Sequence, residues 1–284
     1  MFNDELIQNY IQPLLPLPTA LQPSGKLKEK VKCVLFDVYG TLFISGSGDI
    51  SIARQESQKA EELKNLLLKF EIQKDPGFVL ENFFTAINTE HETQKTKGID
   101  FPEVEIDAIW MRVLGKNNLE HARAFAMEFE LMVNPPYPMP NLENTLSACR
   151  ELNMLMGIIS NAQFYTPYLF RWFLGSEPVD LGFHSNLMFF SYRLGYAKPS
   201  HYMFQLAAEK LQQMHISKEA VLYIGNDMLN DIFPARSVGF QTALFAGDAR
   251  SLRLREDDPE CKNLSADLVI TDLKQIIDHI RRKI

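Results

Sequence analysis

Five short runs of apolar residues constrain the fold of this chain more than any other feature of its sequence. They occupy residues 31–36, 154–159, 220–224, 241–245 and 267–270. Each run is nearly continuous in apolar residues instead of alternating with polar ones, a pattern typical of strands that helices cover on both faces. The sequence therefore predicts a buried sheet of parallel strands.

Helical patterns separate most of these runs. One apolar stripe at helical spacing follows Pro199, a residue type that favours the first helical position, and another lies near the C-terminus. The stripes are Phe204, Ala207, Ala208 and Leu211, and Leu273, Ile276, Ile277 and Ile280. Strands that alternate with helices predict an α/β fold built on a doubly wound parallel sheet.

The segment between the first two predicted strands has a different character. Residues 51–133 contain four helical stripes and no convincing strand, and linker sequences rich in glycine or proline stand on either side. We expect Asp100 and Glu103 to cap the start of the third helix. The polar residues 247–265 are expected to form a surface loop without a chemical role. The predicted divisions are an N-terminal extension (1–30), an α/β domain (31–48 and 134–284) and an inserted all-helical domain (49–133).

The composition limits the classes of function. The chain of 284 residues has a net charge of −7, which argues against a nucleic-acid binder and against attraction to an anionic membrane surface. Cys33, Cys149 and Cys261 lie in unrelated contexts, so free thiols are expected. No apolar stretch approaches the ~20 residues that span a bilayer, and no signal peptide is visible. We therefore expect a soluble, cytoplasmic protein, and the composition leaves its oligomeric state open.

Polar side chains follow three of the predicted strands, where open α/β sheets place their ligands. Taken singly, each of these side chains also fits ordinary turn or helix-capping chemistry, and a lone lysine is usually solvated. Together they are Asp37, Ser160 with Asn161, Asp227 with Asp231, and Lys198 from a connecting loop. Converging carboxylates repel one another unless a cation lies between them, and carboxylate oxygens are the ligands that Mg²⁺ prefers. This set therefore predicts a metal site that binds a phosphoryl group or another small anion.

Four motifs, in order, resemble those of the haloacid dehalogenase (HAD) superfamily. They are Asp37-x-Tyr39-Gly40-Thr41, Ser160-Asn161, Gly195-x-x-Lys198-Pro199 and Gly225-Asn226-Asp227-x-x-x-Asp231. The resemblance runs from residue 31 to the C-terminus, and the inserted helices look like the cap domain of that superfamily. It implies a Rossmann-like core whose first strand carries an aspartate nucleophile.

The resemblance also implies a role for each motif residue. Asp37 would form a covalent aspartyl intermediate that water hydrolyses. Thr41 and Ser160 would hydrogen-bond the transferring group, and Lys198 would neutralise its charge. The implied catalytic set is Asp37, Tyr39, Thr41, Ser160, Asn161 and Lys198, and the implied Mg²⁺ ligands are Asp37, the carbonyl of Tyr39, and Asp227 or Asp231.

Two positions depart from the phosphatase pattern. Tyr39 stands where phosphatases of the family have an acid/base aspartate, and a tyrosine of pKa ~10 is a poor base. That form resembles the metal-free 2-haloacid dehalogenases, in which a cation such as Arg54 or Arg112 would hold the substrate carboxylate. Asn226 stands where the metal-binding aspartate is usual.

Three hypotheses therefore stay open. We favour a Mg²⁺-dependent phosphatase that acts on a small, anionic phosphorylated metabolite with a good leaving group, such as an aryl or acyl phosphate. The alternatives are a metal-free dehalogenase-like hydrolase and a catalytically weak binding or regulatory protein.

Overall fold

The computed structural model describes residues 10–47 and 57–282 of the chain. Its nine strands are β1 (Ser24–Gly25), β2 (Cys33–Phe36), β3 (Phe43–Ser45), β4 (Pro136–Pro138), β5 (Leu155–Ser160), β6 (Phe183–Phe190), β7 (Val221–Gly225), β8 (Gln241–Phe245) and β9 (Leu268–Ile270). Seven strands form one sheet in the order β1-β9-β8-β7-β2-β5-β6, and β3 pairs with β4 in a separate two-stranded sheet. Within the large sheet all neighbours are parallel except β1 and β9. The predicted α/β fold is confirmed.

Residues 10–47 and 57–282 contain ten α-helices. They are α1 (Ser57–Lys69), α2 (Pro76–Thr96), α3 (Ile106–Leu114), α4 (Leu119–Val133), α5 (Leu142–Glu151), α6 (Thr166–Leu174), α7 (Ser191–Leu194), α8 (Tyr202–Gln213), α9 (Phe233–Ser237) and α10 (Lys274–Arg281). The helix after Pro199 begins at Tyr202, later than the proline suggests. None of the helices in the described ranges has the length and apolar character needed to span a bilayer.

The central strand β2 is buried from both sides, as its unbroken apolar sequence predicts. Val34 and Phe36 belong to the apolar core on the face covered by α5 and α10. Cys33 and Leu35 belong to the core on the opposite face, which α8 covers. Successive side chains of a strand point to opposite faces, so both must be apolar. This burial fixes β2 between β5 and β7, with Phe36 level with Ile158 and Ile224.

Helices α1 to α4 share a separate aromatic core. Trp110 stacks on Phe83 with their ring centres 4.2 Å apart, and Phe125 and Phe129 contact the same indole ring edge-on. Residues 57–133 contain no strand, in agreement with the sequence. The domain boundaries themselves stay predictions.

The expected cap of α3 is wrong. Glu105 is the residue before this helix, while the Asp100 carboxylate accepts a hydrogen bond from the neighbouring Phe101 amide. Glu103 instead turns towards Ser191 and Gln163, with consequences described below.

Two segments for which the sequence predicts no chemical role pack onto the core. Within the N-terminal extension, β1 adds an antiparallel edge strand to the sheet, and the Thr19 hydroxyl donates to the Ala246 carbonyl. The polar segment 247–265 carries Ser251 and Arg255 to the carboxyl ends of the strands. The segment is a loop, as predicted, and part of it packs against the first and fourth motifs. The three cysteines are free and buried, as expected.

Candidate active site

The carboxyl ends of β2 and β7 bring two carboxylates onto one buried lysine. The Lys198 ammonium nitrogen Nζ lies 2.7 Å from Asp37 Oδ1 and 2.5 Å from Asp231 Oδ1. The three side chains expose only 7%, 4% and 2% of their surface for Asp37, Lys198 and Asp231 respectively. The structure thus brings together residues from three of the four motifs. The cation between the carboxylates is Lys198, so their convergence by itself does not require a metal.

A tyrosine that the sequence analysis missed completes this cluster. The hydroxyl of Tyr223, in β7, lies 2.9 Å from Asp231 Oδ1, 3.0 Å from the Ile159 carbonyl and 3.3 Å from Lys198 Nζ. The other oxygen of Asp231 accepts the backbone N–H of Asp227 at 2.9 Å. A tyrosine in a strand of apolar residues gives no signal in the sequence that it will reach a charged group.

The electrostatics of the cluster are set by burial. Burial raises the pKa of Asp37 to about 6, the positive charge of Lys198 opposes the rise, and Asp231 adds to it. A hydrogen bond from the Ser160 hydroxyl also lowers the pKa of Asp37. Burial lowers the pKa of Lys198, but its attraction to Asp231 and Asp37 outweighs this and holds the pKa above its ordinary value. Lys198 therefore stays protonated when Asp37 ionises near neutral pH.

Asn161 positions Lys198 through its backbone. The Asn161 side chain accepts the Lys198 N–H at 2.7 Å and donates to the Lys198 carbonyl at 3.2 Å. Ser160, which is fully buried at the end of β5, also lies 3.3 Å from the Asn161 carbonyl. The second motif thus holds the lysine of the third motif against the aspartate of the first.

The first motif turns sharply after Asp37, and Gly40 is required there. Its φ of +79° lies in the left-handed region, and a Cβ at this position would come within 2.6 Å of Ser251 and 2.8 Å of Asn226. The Thr41 hydroxyl donates to Asn226 at 3.1 Å, and Asn226 donates to the Ser251 carbonyl at 2.6 Å. Thr41 and Asn226 therefore hold the loop, and contact between Thr41 and a transferring group stays a prediction.

The carboxylate of Asp227 pairs with Arg255 instead of Lys198. Both of its carboxylate oxygens contact Arg255, the shortest distance being 2.7 Å, and Oδ1 also caps the amides of Leu229 and Asn230. Asp227 therefore caps the short helical turn that follows β7. The sequence also allowed this capping role.

The predicted set of Mg²⁺ ligands does not fit this arrangement. Asp227 faces Arg255, and both oxygens of Asp231 are engaged by Lys198, Tyr223 and a backbone amide. Within residues 10–47 and 57–282, no group of three or more His, Cys, Asp or Glu side chains surrounds a common point. Lys198 contacts Oδ1 of Asp37, which leaves Oδ2 of Asp37 and the carbonyl of Tyr39 as the remaining predicted ligands.

Tyr39 is not poised to act as a base. Its hydroxyl lies 3.0 Å from the Thr166 hydroxyl, at the start of α6. Burial and the nearby Glu130 and Asp37 raise the pKa of Tyr39, while the contact with Thr166 opposes the rise. Tyr39 therefore stays protonated at neutral pH, as its residue type predicts.

A cavity of about 260 Å³ reaches the active site at Tyr39 and Asn161. Phe83, Ile106 and Glu130 line it from the helical side. This volume lies just below the ~300–1,000 Å³ of pockets that bind drug-sized molecules, so it suits a small metabolite. A groove of about 770 Å³ along α8 is larger, but it lies away from the carboxyl ends of the strands. The volume of a cavity alone therefore does not identify the candidate active site.

The lining of this cavity was not foreseen from the sequence. It includes Glu103, His91 and Gln163 together with Glu130, and no lysine or arginine of the described ranges takes part. Glu130 follows Ala126 by four residues on the apolar stripe of α4, and a carboxylate on such a stripe was a usable signal. The sequence pattern instead predicts Glu103 in a helix cap, which the structure does not show.

Comparison with known proteins agrees with this geometry. Residues 31–239 match the model of the haloacid dehalogenase-like hydrolase family. The chain belongs to this family.

Relatives of this HAD-like hydrolase include both chemistries of the family. A glyceraldehyde 3-phosphate phosphatase of Methanocaldococcus jannaschii is 24% identical over 88% of this chain and 97% of its own length. A 2-haloacid dehalogenase from Pseudomonas syringae is similar in structure, with a TM-score of 0.55, 19% identity, and coverage of 89% of this chain and 99% of its own. A HAD phosphatase from Thermococcus onnurineus gives 0.53 and 16%, with 87% and 97% covered. At these identities the two structures show the fold and leave the reaction open.

Proposed function

We propose that this HAD-like hydrolase is a phosphatase that acts on a small phosphorylated metabolite, with Asp37 as its nucleophile. The observation that carries the proposal is the buried Asp37 carboxylate held on Lys198, beside a cavity that offers no fixed cation for a second anionic group among its described lining residues. The similarity to a phosphatase over nearly the whole chain supports it.

The proposed reaction has two steps. An oxygen of Asp37 attacks phosphorus, the bond from phosphorus to the leaving oxygen breaks, and the leaving group departs with the bonding electrons. Water then attacks the aspartyl phosphate, which releases phosphate and restores the Asp37 carboxylate. Lys198, which contacts Asp37, would offset negative charge on the phosphoryl oxygens in both steps. Tyr39 supplies no base, so leaving groups that depart as stable anions are favoured.

A dehalogenase-like reaction is the second candidate, and Tyr39 is the residue that favours it. Such a reaction needs a cation to bind the carboxylate of a 2-haloacid. Arg112 pairs with Glu90 at 3.5 Å and borders a different groove, while Arg54 lies outside the described residues. The third candidate, a binding or regulatory protein, would show no turnover with either class of substrate.

Magnesium dependence is part of the proposal in a restricted form. A Mg²⁺ ion at this site would have Asp37 as its one available carboxylate ligand within the described part of the chain, with the Tyr39 carbonyl beside it. Mg²⁺ in phosphoryl-transfer sites is usually held by one or two carboxylates together with water and substrate phosphate oxygens. We therefore expect weak binding that strengthens when substrate is present.

Hydrolysis of an aryl phosphate tests the proposal. Phosphate release by purified protein would be measured with Mg²⁺ and with excess chelator, and Asp37→Asn would serve as the inactive variant. Asp107→Asn is a matched control, because Asp107 is also a buried aspartate in an ion pair but lies in the helical region. Turnover in the wild type and Asp107→Asn, lost in Asp37→Asn, supports a phosphatase. Halide release from 2-haloacids without aryl phosphate turnover would favour the dehalogenase reaction.

A further inference from the structure

Buried acidic side chains in this chain are, as a rule, paired with a basic one. Six aspartate and glutamate residues of the described ranges are buried, and each has a basic side chain within 2.7 Å. The pairs are Asp37 and Asp231 with Lys198, Asp107 with Arg123, Glu128 with Lys69, Asp227 with Arg255 and Asp248 with Arg250. This pairing is expected, because an unpaired charge is costly to bury.

Glu103 and Glu130 are partly buried acidic residues that have no basic partner among the described residues. Both line the 260 Å³ cavity, and both accept hydrogen bonds only from neutral groups among the described residues. The Glu103 carboxylate accepts from the Ser191 hydroxyl at 2.7 Å and from Gln163 Nε2 at 3.2 Å, as well as from the Val104 amide. The Glu130 carboxylate accepts from the Tyr165 hydroxyl at 3.0 Å and from Asn134 Nδ2 at 3.1 Å.

These partners fix both carboxylates without neutralising them. Burial raises the pKa of Glu103 and of Glu130, and the hydrogen bonds from neutral donors only oppose this rise. A cation that entered the cavity would favour the charged form of both groups.

A third polar group in the cavity also lacks a partner. Nε2 of His91 is buried without a hydrogen bond to any described residue. Burial and the positive charge of Lys95 lower the pKa of His91, against weaker effects of Glu92 and Glu90. His91 is therefore neutral near pH 7, so it supplies no positive charge to the glutamates. A neutral imidazole nitrogen can accept a hydrogen bond from a ligand.

We propose that the organic part of the phosphorylated substrate carries a protonated amine, which Glu103 and Glu130 bind inside this cavity. The proposal rests on the phosphatase function given above and names the class of molecule that the site selects. The described lining of the cavity carries two carboxylates and no lysine or arginine, so it complements an ammonium group and repels a second anion. Phe83 and Ile106 supply apolar contact for the carbon skeleton.

Three matched aryl phosphates test this selection. They carry an aminomethyl, a hydroxymethyl or a carboxymethyl group para to the phosphate, so charge varies while the leaving group stays a phenol. We expect kcat/KM for the aminomethyl compound to exceed that for the hydroxymethyl compound by at least about tenfold, the lower end for a hydrogen-bonded charge pair. The carboxymethyl compound should be the poorest substrate.

Variants of the two glutamates test whether they cause the preference for the amine. In Glu103→Gln/Glu130→Gln we expect the ratio of aminomethyl to hydroxymethyl kcat/KM to fall to about one, because the amides keep the shape but lose the charge. Glu128→Gln is the matched control, since Glu128 is a buried acid on α4 that pairs with Lys69 instead of facing the cavity. That variant should keep the wild-type ratio. A ratio compares two substrates in one preparation, so it is insensitive to partial unfolding.

Two results would overturn the proposal. One is a wild-type enzyme that hydrolyses the hydroxymethyl compound as well as the aminomethyl compound, and the other is a preference that survives in the double variant. If no aryl phosphate is hydrolysed, the phosphatase function fails, and calorimetry then tests the cavity directly. Tighter binding of 4-(aminomethyl)phenyl phosphate than of its hydroxymethyl analogue to Asp37→Asn would support the amine site, and equal binding would exclude it.

Discussion

Replacing Asp37, the proposed nucleophile, should make this protein more stable near neutral pH while it abolishes turnover. Asp37 is almost fully buried, and its pKa rises from the ordinary 3.8 to about 6 because burial disfavours the charged form. The carboxamide introduced by Asp37→Asn is uncharged at every pH, so the variant escapes this cost. Its amide oxygen can still accept from Lys198, which also keeps Asp231 as a partner.

The size of the effect follows from the two pKa values. The folded state binds the Asp37 proton more tightly than the unfolded state, so the free energy of unfolding falls as pH rises from about 4 to about 6. A tenfold change in the ionisation constant corresponds to about 1.4 kcal/mol, so the total loss is about 3 kcal/mol. Asp37→Asn should therefore exceed the wild type in stability by up to about 3 kcal/mol above pH 7, and by little near pH 4.

Urea unfolding of both proteins at several pH values measures this difference. Asp107→Asn is the control, because Asp107 pairs with Arg123 outside the active site and its removal breaks an ordinary ion pair. We expect that control to be no more stable than the wild type at any pH. An Asp37→Asn protein that is less stable than the wild type at neutral pH, or a gain that does not depend on pH, would refute the reasoning.

Three further predictions follow from the same cluster. Lys198→Met should lower the free energy of unfolding by about 3–5 kcal/mol at neutral pH, because it leaves two buried carboxylates without their cation. The loss should be smaller near pH 5, and urea unfolding at both pH values measures it. In the wild type, kcat/KM for an aryl phosphate should rise with pH through about 6 as Asp37 ionises. Deprotonation of Lys198 should cause no fall in kcat/KM below the ordinary pKa of a lysine. A flat profile between about pH 5 and 7 would contradict this. Tyr223→Phe should cost about 1–3 kcal/mol of stability, since Asp231 and the Ile159 carbonyl lose a buried donor, and thermal unfolding would detect a change of that size.

The sheet could be predicted from the sequence because burial on two faces demands continuous apolar strands. The predicted strand over residues 241–245 is the one observed, and the others differ at their ends by one or two residues. Strand β6 was missed, because its exposed Ser185 and Asn186 interrupt the apolar pattern at the edge of the sheet. Strand β1 has only two residues and gave no signal.

The positions of the site residues could be predicted where strand order and register alone determine them. Asp37 follows β2 and Ser160 ends the neighbouring parallel strand β5, and the register of the two strands places these residues close together. Asp227 and Asp231 could not be told apart, because the choice depends on Arg255, which a distant loop brings to Asp227. Glu103 and Glu130 were not predicted as site residues for the same reason. The residues around them come from helices and loops that are far apart in the chain.

The covalent intermediate is the most direct test of the central claim. The protein would be mixed rapidly with an aryl phosphate and quenched in acid, and its peptides would be analysed by mass spectrometry. The account predicts a phosphoryl group on Asp37, absent from Asp37→Asn. Turnover with no labelled aspartate, or with the phosphoryl group on another residue, would contradict it.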